Sequence, residues 1–156
     1  MNQVSAKILN PEIRIRITVL IKSEDGRICF VRHNKNGKIY WLLPGGGQKP
    51  LETAYEAAFR ELEEELRIKC KDFRFLFARE SMNKEIGRHI LFMVFEGLNP
   101  ELSSIATGTD ERVEGYDFFN IQEISERPIY PSMKEDIINF LENRKIEPFK
   151  TLEWIP

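Results

Sequence analysis

Arg60-Glu61-Leu62-Glu63-Glu64-Glu65 is the stretch where residue type and spacing most plainly allow chemistry. Successive residues of an α-helix turn by about 100°, so with Glu61 at zero, Glu64 falls near about 300° and Glu65 near about 40°. The three carboxylates therefore share one face. Ala54 and Ala57 lie on that face one or two turns earlier, and their small side chains leave room for something to approach. Tyr55, Ala58, Phe59, Leu62 and Leu66 cluster on a different face, the obvious one to bury. Glu63 points away from the trio and is placed to pair with Arg67.

Left alone, this arrangement is unfavourable. Like charges three and four residues apart cost about 0.2–0.5 kcal/mol per pair. Glutamates in the last turns also oppose the helix dipole, which favours cations there. A divalent cation relieves both, and magnesium takes carboxylate and water oxygens in an octahedral shell. The alternative is a solvated acidic face eased by Arg60 and Arg67, the usual fate of surface glutamates.

Those side chains need a scaffold, and the flanking sequence supplies its elements. Arg14 to Lys22 alternates polar and apolar residues before turning apolar, which predicts a strand. Glu24-Asp25-Gly26 turns into a second strand, Arg27 to His33, and a polar turn with Gly37 leads to a third, Ile39 to Leu43. Pro44 and the glycines Gly45 to Gly47 stop it. Thr53, three residues before Glu56, has the spacing of a capping box and starts a helix that runs to about Leu66. Lys71 to Met82 and Arg88 to Leu98 predict a long hairpin around Gly87. Asn99 to Gly115 is a polar loop, Tyr116 to Asn120 a short strand, and Met133 to Leu141 a second helix approached through Gln122-Glu123-Ile124. Strands and helices mix, with antiparallel pairs, so the class is α/β or α+β. The tail, Glu147 to Pro156, carries Leu152, Trp154 and Ile155 and docks either on the core or on a partner.

With 156 residues, 42% hydrophobic and 31% charged, the chain fits one domain over 1–156. Acidic and basic residues stand at 25 against 23, a formal charge of −2. A protein built to neutralise a nucleic-acid backbone needs a strong basic excess, so no nucleic-acid polymer is expected as partner, whereas a single nucleotide remains suitable. Cys29 and Cys70 are too few for a disulfide framework. Met1 to Asn10 has no apolar signal core, and no run reaches ~18 apolar residues. The expected setting is cytoplasmic, reducing and without membrane contact, and a homodimer is compatible.

Other residues suit more than one role. Arg14, Arg16, Arg32 and Arg88 suit phosphate contact, although strand alternation favours surface exposure. Tyr40, Trp41 and Phe118 suit stacking on a base, although aromatics in short strands favour the core. His33 and His89 are isolated, which disfavours zinc. Gly47 is followed by Gln48 and Lys49-Pro50, not by the Gly-Lys-Ser/Thr that a P-loop needs.

Gly46, then Glu52, then Arg60-Glu61-Leu62-x-Glu64-Glu65 and Ile68 resembles the signature of the Nudix (MutT-like) hydrolases, and Leu43-Pro44-Gly45-Gly46 resembles its usual lead-in. Every fixed position is met except one, where Arg67 stands in place of glycine. That glycine normally supplies a left-handed helix exit, and another residue costs roughly 1 kcal/mol there.

The resemblance implies an α/β/α sandwich with a mixed sheet, and hydrolysis of a diphosphate linkage in a nucleoside diphosphate joined to another group X. It implies Mg2+, with Mn2+ as substitute, bound by Glu61, Glu64, Glu65 and the Gly46 carbonyl. Arg60 would orient the glutamates, and Glu52 would be a structural or metal-shell partner. Two or more ions would neutralise bridging oxygens and activate water, while arginine and backbone donors meet developing charge. For a general base the loop Asp110-Glu111-Arg112-Val113-Glu114 offers Glu114 first and Glu111 second, with Glu80 as an outsider; for each, facing water is the alternative.

Markers seen in relatives that prefer ADP-ribose, diadenosine polyphosphates or coenzyme A are not recognisable, notably across Ser81 to Gly87. Nucleoside triphosphates (NTP or dNTP) are the default substrate, with ADP-ribose and nucleotide sugars open. A second reading is a Nudix-fold regulatory domain that binds a nucleotide without cutting it. A third is a structural module with an acidic helix face.

Overall fold

A computed structural model describes residues 11–154. The stretch Met1 to Asn10 and the tail residue Ile155, both weighed above, lie outside the described residues. Strands β1 (Ile13–Leu20), β2 (Ile28–Lys35), β3 (Lys38–Leu42) and β4 (Gly45–Gly47) precede helix α1 (Ala54–Leu66). Strands β5 (Asp72–Asn83), β6 (Arg88–Leu98) and β7 (Gly115–Phe119), short helices α2 (Ile121–Glu126) and α3 (Lys134–Leu141), and strand β8 (Phe149–Leu152) follow.

A five-stranded sheet runs β4-β1-β6-β5-β8 and a three-stranded sheet β3-β2-β7. The larger sheet is mixed, because β1 lies parallel to β6 and β8 parallel to β5 while the other pairs are antiparallel. Strand alternation sorts the core into two layers. Ile17 and Val19 of β1 with Cys29 and Val31 of β2 face Ala57, Ala58, Leu62 and Leu66 of α1. Leu20, Ile28 and Phe30 face the other way, onto Ile124 of α2 and Met133 and Ile137 beside and in α3. Sheets between helices are thus the architecture expected from the family signature. No helix among the described residues is long and apolar enough to cross a membrane.

The turn between β2 and β3 is Asn36-Gly37, both at positive φ (54° and 84°), the twist that a two-residue hairpin requires. Two elements differ from expectation, and the tail, left open between core and partner, is settled. The glycine triplet does not merely stop β3. It pairs antiparallel with β1 as β4, Gly46 opposite Ile17. The Gln122-Glu123-Ile124 approach is itself a helix, closed by a reciprocal cap between Asn120 and Glu123. The tail docks on the core: β8 extends the sheet beside β5, with Ala78 N–H on the Pro148 carbonyl at 2.9 Å.

Candidate active site

Helix α1 starts as its sequence dictates, with the Thr53 hydroxyl accepting from Glu56 N–H at 3.1 Å. Its buried residues are Ala57, Ala58, Glu61, Leu62, Glu65 and Leu66. Burial therefore takes in two of the glutamates, and the expectation that Tyr55 and Phe59 go under is wrong. Both stay exposed, each with one side of its ring on the sheet: Phe59 meets the Phe73 ring edge-on at 4.6 Å and Tyr55 lies 5.7 Å from Phe95. The helix exit survives without glycine. Arg67 itself adopts the left-handed conformation (φ 55°, ψ 34°), and its N–H reaches the Glu63 carbonyl at 3.2 Å. Its side chain forms no ion pair with Glu63 among the described residues, contrary to the sequence reading.

The last carbonyls of α1 find donors in the loop that follows β6. Ala106, Gly108 and Asp110 donate their N–H groups to Leu66, Glu65 and Glu64 respectively, at 3.1, 2.9 and 3.2 Å. A Cβ on Gly108 would collide with the Glu64 carbonyl, so the loop can lie this close only with glycine there. This docking delivers the Asp110 carboxylate to the glutamates. Oxygens of Glu61, Glu65 and Asp110 all lie within 4.8 Å of one another.

On the other side stands β4. Gly45 (φ 151°) donates its N–H to Glu65 Oε1 at 3.0 Å, and a Cβ there would strike the Ile17 carbonyl. A Cβ on Gly46 would overlap the Glu61 carboxylate. The glycines thus let a backbone strand lie directly against two acids.

Arg60 organises what remains. Its Nε and Nη2 grip both oxygens of Glu52 at 2.7 and 2.9 Å, its Nη1 bridges Glu61 at 2.7 Å and Glu64 at 3.3 Å, and Nη2 also reaches the Gly47 carbonyl at 3.0 Å. This grip, aided by Lys49 N–H, holds the Glu52 carboxyl down at about 2. Asp110 is likewise lowered, chiefly by its bond to Arg112. Glu65 goes the other way: burial pushes it up to about 8, and its Oε2 has no hydrogen-bond partner.

Five carboxylates here (Glu52, Glu61, Glu64, Glu65, Asp110) are bonded by only two guanidiniums, Arg60 and Arg112. The negative excess, the orphaned buried oxygen and the all-oxygen donor set fit a hard divalent cation.

Of the residues expected from sequence, Glu61 and Glu65 converge, Gly46 abuts Glu61, and Arg60 ties Glu52 and Glu64 to the rim. Glu64, with 40% of its side chain exposed, lies outside the tight trio. Glu114 does not join. It is exposed, and its N–H serves the Arg32 carbonyl at 2.9 Å. Glu111 is exposed too, and Glu80 is engaged with His89 Nε2 at 2.9 Å. Asp110 belongs to the loop singled out from the sequence, but only its backbone bonds to α1 distinguish it from its acidic neighbours. Arg16, suited by sequence to phosphate contact, and His33 also stand beside the cluster. Arg16 donates to the Gly45 carbonyl at 3.3 Å, and His33 has its Nε2 buried without a partner in the field of Arg16 and Asp110.

Known proteins share the fold and the family signature. The NUDIX domain family matches residues 12–140. An RNA pyrophosphohydrolase of Erwinia tasmaniensis is 37% identical over 65 residues, 42% of this chain and 36% of that protein. One from Actinobacillus succinogenes is 32% identical over 81 residues, 49% of this chain and 40% of that protein. The matched stretch spans well under half the length of these curated relatives. Among solved structures, the MutT protein of Methanosarcina mazei superposes with a TM-score of 0.71 at 22% identity, covering 88% of this chain and 99% of that one. A MutT NUDIX hydrolase of Burkholderia pseudomallei gives 0.69 at 24% identity, covering 84% and 97%. The chain belongs to the NUDIX domain family.

Proposed function

We propose that this chain is a Mg2+-dependent pyrophosphohydrolase that cuts a diphosphate linkage in a nucleoside diphosphate joined to another group. The observation that carries the reading is the convergence of Glu61, Glu65 and Asp110 around an unpartnered carboxylate oxygen, under the Gly45–Gly46 backbone. Glu61, Glu65 and Asp110 would hold the metal, with Glu64 at the rim and the Gly46 carbonyl alongside. Bound there, a divalent ion supplies charge neutralisation of the diphosphate and acidification of water.

The protein's own groups do the rest. Arg60 holds Glu61 and Glu64 in place through one shared nitrogen, and Glu52 in turn fixes Arg60. Arg16, beside the glycine strand, offers a cation to an incoming phosphate. The two thiols, Cys29 and Cys70, are unpaired and suit a reducing, cytoplasmic setting.

Nucleoside triphosphates remain the first substrates to try. Because the relatives named above are RNA pyrophosphohydrolases, 5′-triphosphorylated RNA joins the panel, although overall charge argued against a polymer. The test is phosphate, diphosphate or monophosphate release with Mg2+ or Mn2+, over nucleoside triphosphates, ADP-ribose, nucleotide sugars, dinucleoside polyphosphates and such RNA. Turnover of at least one class is expected. Silence across the panel at several pH values, together with tight nucleotide binding, would instead establish a regulatory domain that binds without cutting. Silence with a melting temperature indifferent to both metals would sink the metal site as well.

A further inference from the structure

Alternation along the strands of the larger sheet sends one set of side chains toward α1, and α1 covers only part of that face. Ile17, Val19, Phe73 and Phe95 pack with the helix. Ile13 and Ile15 of β1, in step with Ile17, stay exposed, and so do Phe75, Met82 and Phe149 of β5 and β8. Strand register makes these side chains neighbours. Ile15 stands opposite Leu91, Ile17 opposite Met93, Met93 opposite Ala78, and Ala78 opposite Phe149, while Ile13 and Met82 both stand opposite His89. At the margin of α1 the Phe75 ring meets Phe95 at 5.5 Å, and Tyr55 and Phe59 carry the same apolar surface onto the helix. One surface therefore runs from β1 across β6 and β5 to β8.

Its exposed large apolar side chains, seven in number, keep 38 to 60% of their surface in solvent. At about 200 Å2 for each when fully exposed, they present roughly 650 Å2, above the ~300–600 Å2 of the largest apolar patch on a typical monomer. With half-buried Leu91, Met93 and Ala78 between them, the surface approaches the ~800 Å2 that each partner gives to a stable interface. Glu80 and His89, which project from the same face, are bonded to one another at 2.9 Å, so covering them strands no lone charge.

Charge selects the occupant. A lipid surface calls for basic residues around an apolar patch, whereas the α1 flank beside Phe59 carries the exposed acids Glu56 and Glu63, three residues before it and four after. A second copy meets no such obstacle. The formal charge is only −2, so two copies repel weakly, and a broad sheet face can bury itself against its own image. We propose that two copies of this chain pair through this sheet face about a twofold axis, the aromatic flank of α1 included in the contact. The acidic cluster stays open in such a dimer, because Glu61 leaves α1 toward Gly46 and Asp110, on a different side from Tyr55 and Phe59.

Analytical ultracentrifugation of the whole 156-residue chain over a wide concentration range tests this without substrate or metal. A dimer is expected, with a dissociation constant in the micromolar range or tighter, as interfaces of this size show. Phe149→Lys and Ile13→Lys alter exposed side chains at opposite margins of the face. Each substitution falls twice in a twofold interface, so each should weaken dimerisation at least tenfold. Circular dichroism checks the fold of both. Should Phe149→Lys loosen the four-residue β8, Ile13→Lys on β1 still decides. A dimer weakened by the folded variants upholds the proposal whatever the catalytic panel shows. A chain that stays monomeric at high micromolar concentration overturns it. So does a dimer unmoved within twofold by the folded variants, which would put the interface elsewhere. A chain that is monomeric when whole and dimeric once residues 2–10 are removed overturns it too, because that segment would then be the cover.

Discussion

Among the described residues two clusters of buried charge are built on opposite principles. In the first, Arg79 is fully buried and grips both oxygens of Asp136 at 2.9 and 2.7 Å. Its remaining nitrogen serves the carbonyls of Ala78 and Glu147 at 2.7 and 2.9 Å, and the guanidinium lies 4.5 Å from the Phe77 ring. Every polar atom there is satisfied, so the cluster fastens β5 to α3 and to the tail. In the second, Glu65 is equally buried but keeps an oxygen without a partner, and Glu61 and Asp110 add charge to the same space. Burial of charge is common to both. What marks the second as a place for a ligand is its deficit of partners.

The sharpest way to break the comparison is to open the closed cluster. Asp136→Ala leaves Arg79 charged, buried and unpaired, which should cost about 3–5 kcal/mol of stability. Urea unfolding measures it. A loss under about 1 kcal/mol would show that the network is looser than its geometry.

The same operation on the open cluster should leave the fold alone and remove the chemistry. Glu64→Gln relieves repulsion beside Glu61 and keeps stability level or slightly higher, while turnover on the best substrate of the panel drops by about 100-fold, or roughly 2.7 kcal/mol. If Glu64→Gln unfolds the protein, the glutamate is structural and the contrast collapses.

Glu65 sharpens the contrast through pH. Its carboxyl lies at about 8 in the metal-free fold against an ordinary value of 4.5, so between those limits the folded state holds a proton that the unfolded chain has lost. This contribution to stability is whole below pH 4.5 and is lost as pH rises through 8. Glu65→Gln should remove that slope, making the variant the more stable by on the order of 2 kcal/mol near pH 8 in EDTA. Saturating Mg2+ should raise the melting temperature of the parent and not of the variant. Parallel pH profiles of the two proteins in EDTA would refute the assignment.

What could be read from the sequence depended on whether the determinants were local. Thr53 and the 3.6-residue period placed α1 and put its acids on one face, because capping and face sharing are decided within a few residues, while the resemblance from Gly46 to Ile68 implied their role. The Gly45–Gly47 strand escaped notice because its reason is a close approach to Ile17 and Glu61, contributed from other parts of the chain. Tyr55 and Phe59 stay exposed for a related reason: a helical wheel shows which residues share a face, not what lies opposite it. The loop after β6 posed the hardest case. Its three acids, Asp110, Glu111 and Glu114, look alike in sequence, and only backbone bonds to the end of α1 select among them.

That selection yields the smallest effects, and the pair must be measured together. Asp110 faces Glu61 and Glu65, so Asp110→Asn removes one charge from the donor set and should lower activity about tenfold, with a weaker apparent affinity for Mg2+. Glu114 is exposed and contributes through its backbone N–H to Arg32, a bond that a side-chain change leaves intact. Glu114→Gln should therefore alter kcat/KM by less than about twofold, within the usual range for surface changes. The reverse ranking would mean that the loop rearranges when substrate binds, carrying Glu114 inward as the sequence alone suggested. The Gly108 contact against the Glu64 carbonyl is what opposes such a movement, because sliding the loop along α1 by one residue would press a side chain into that carbonyl.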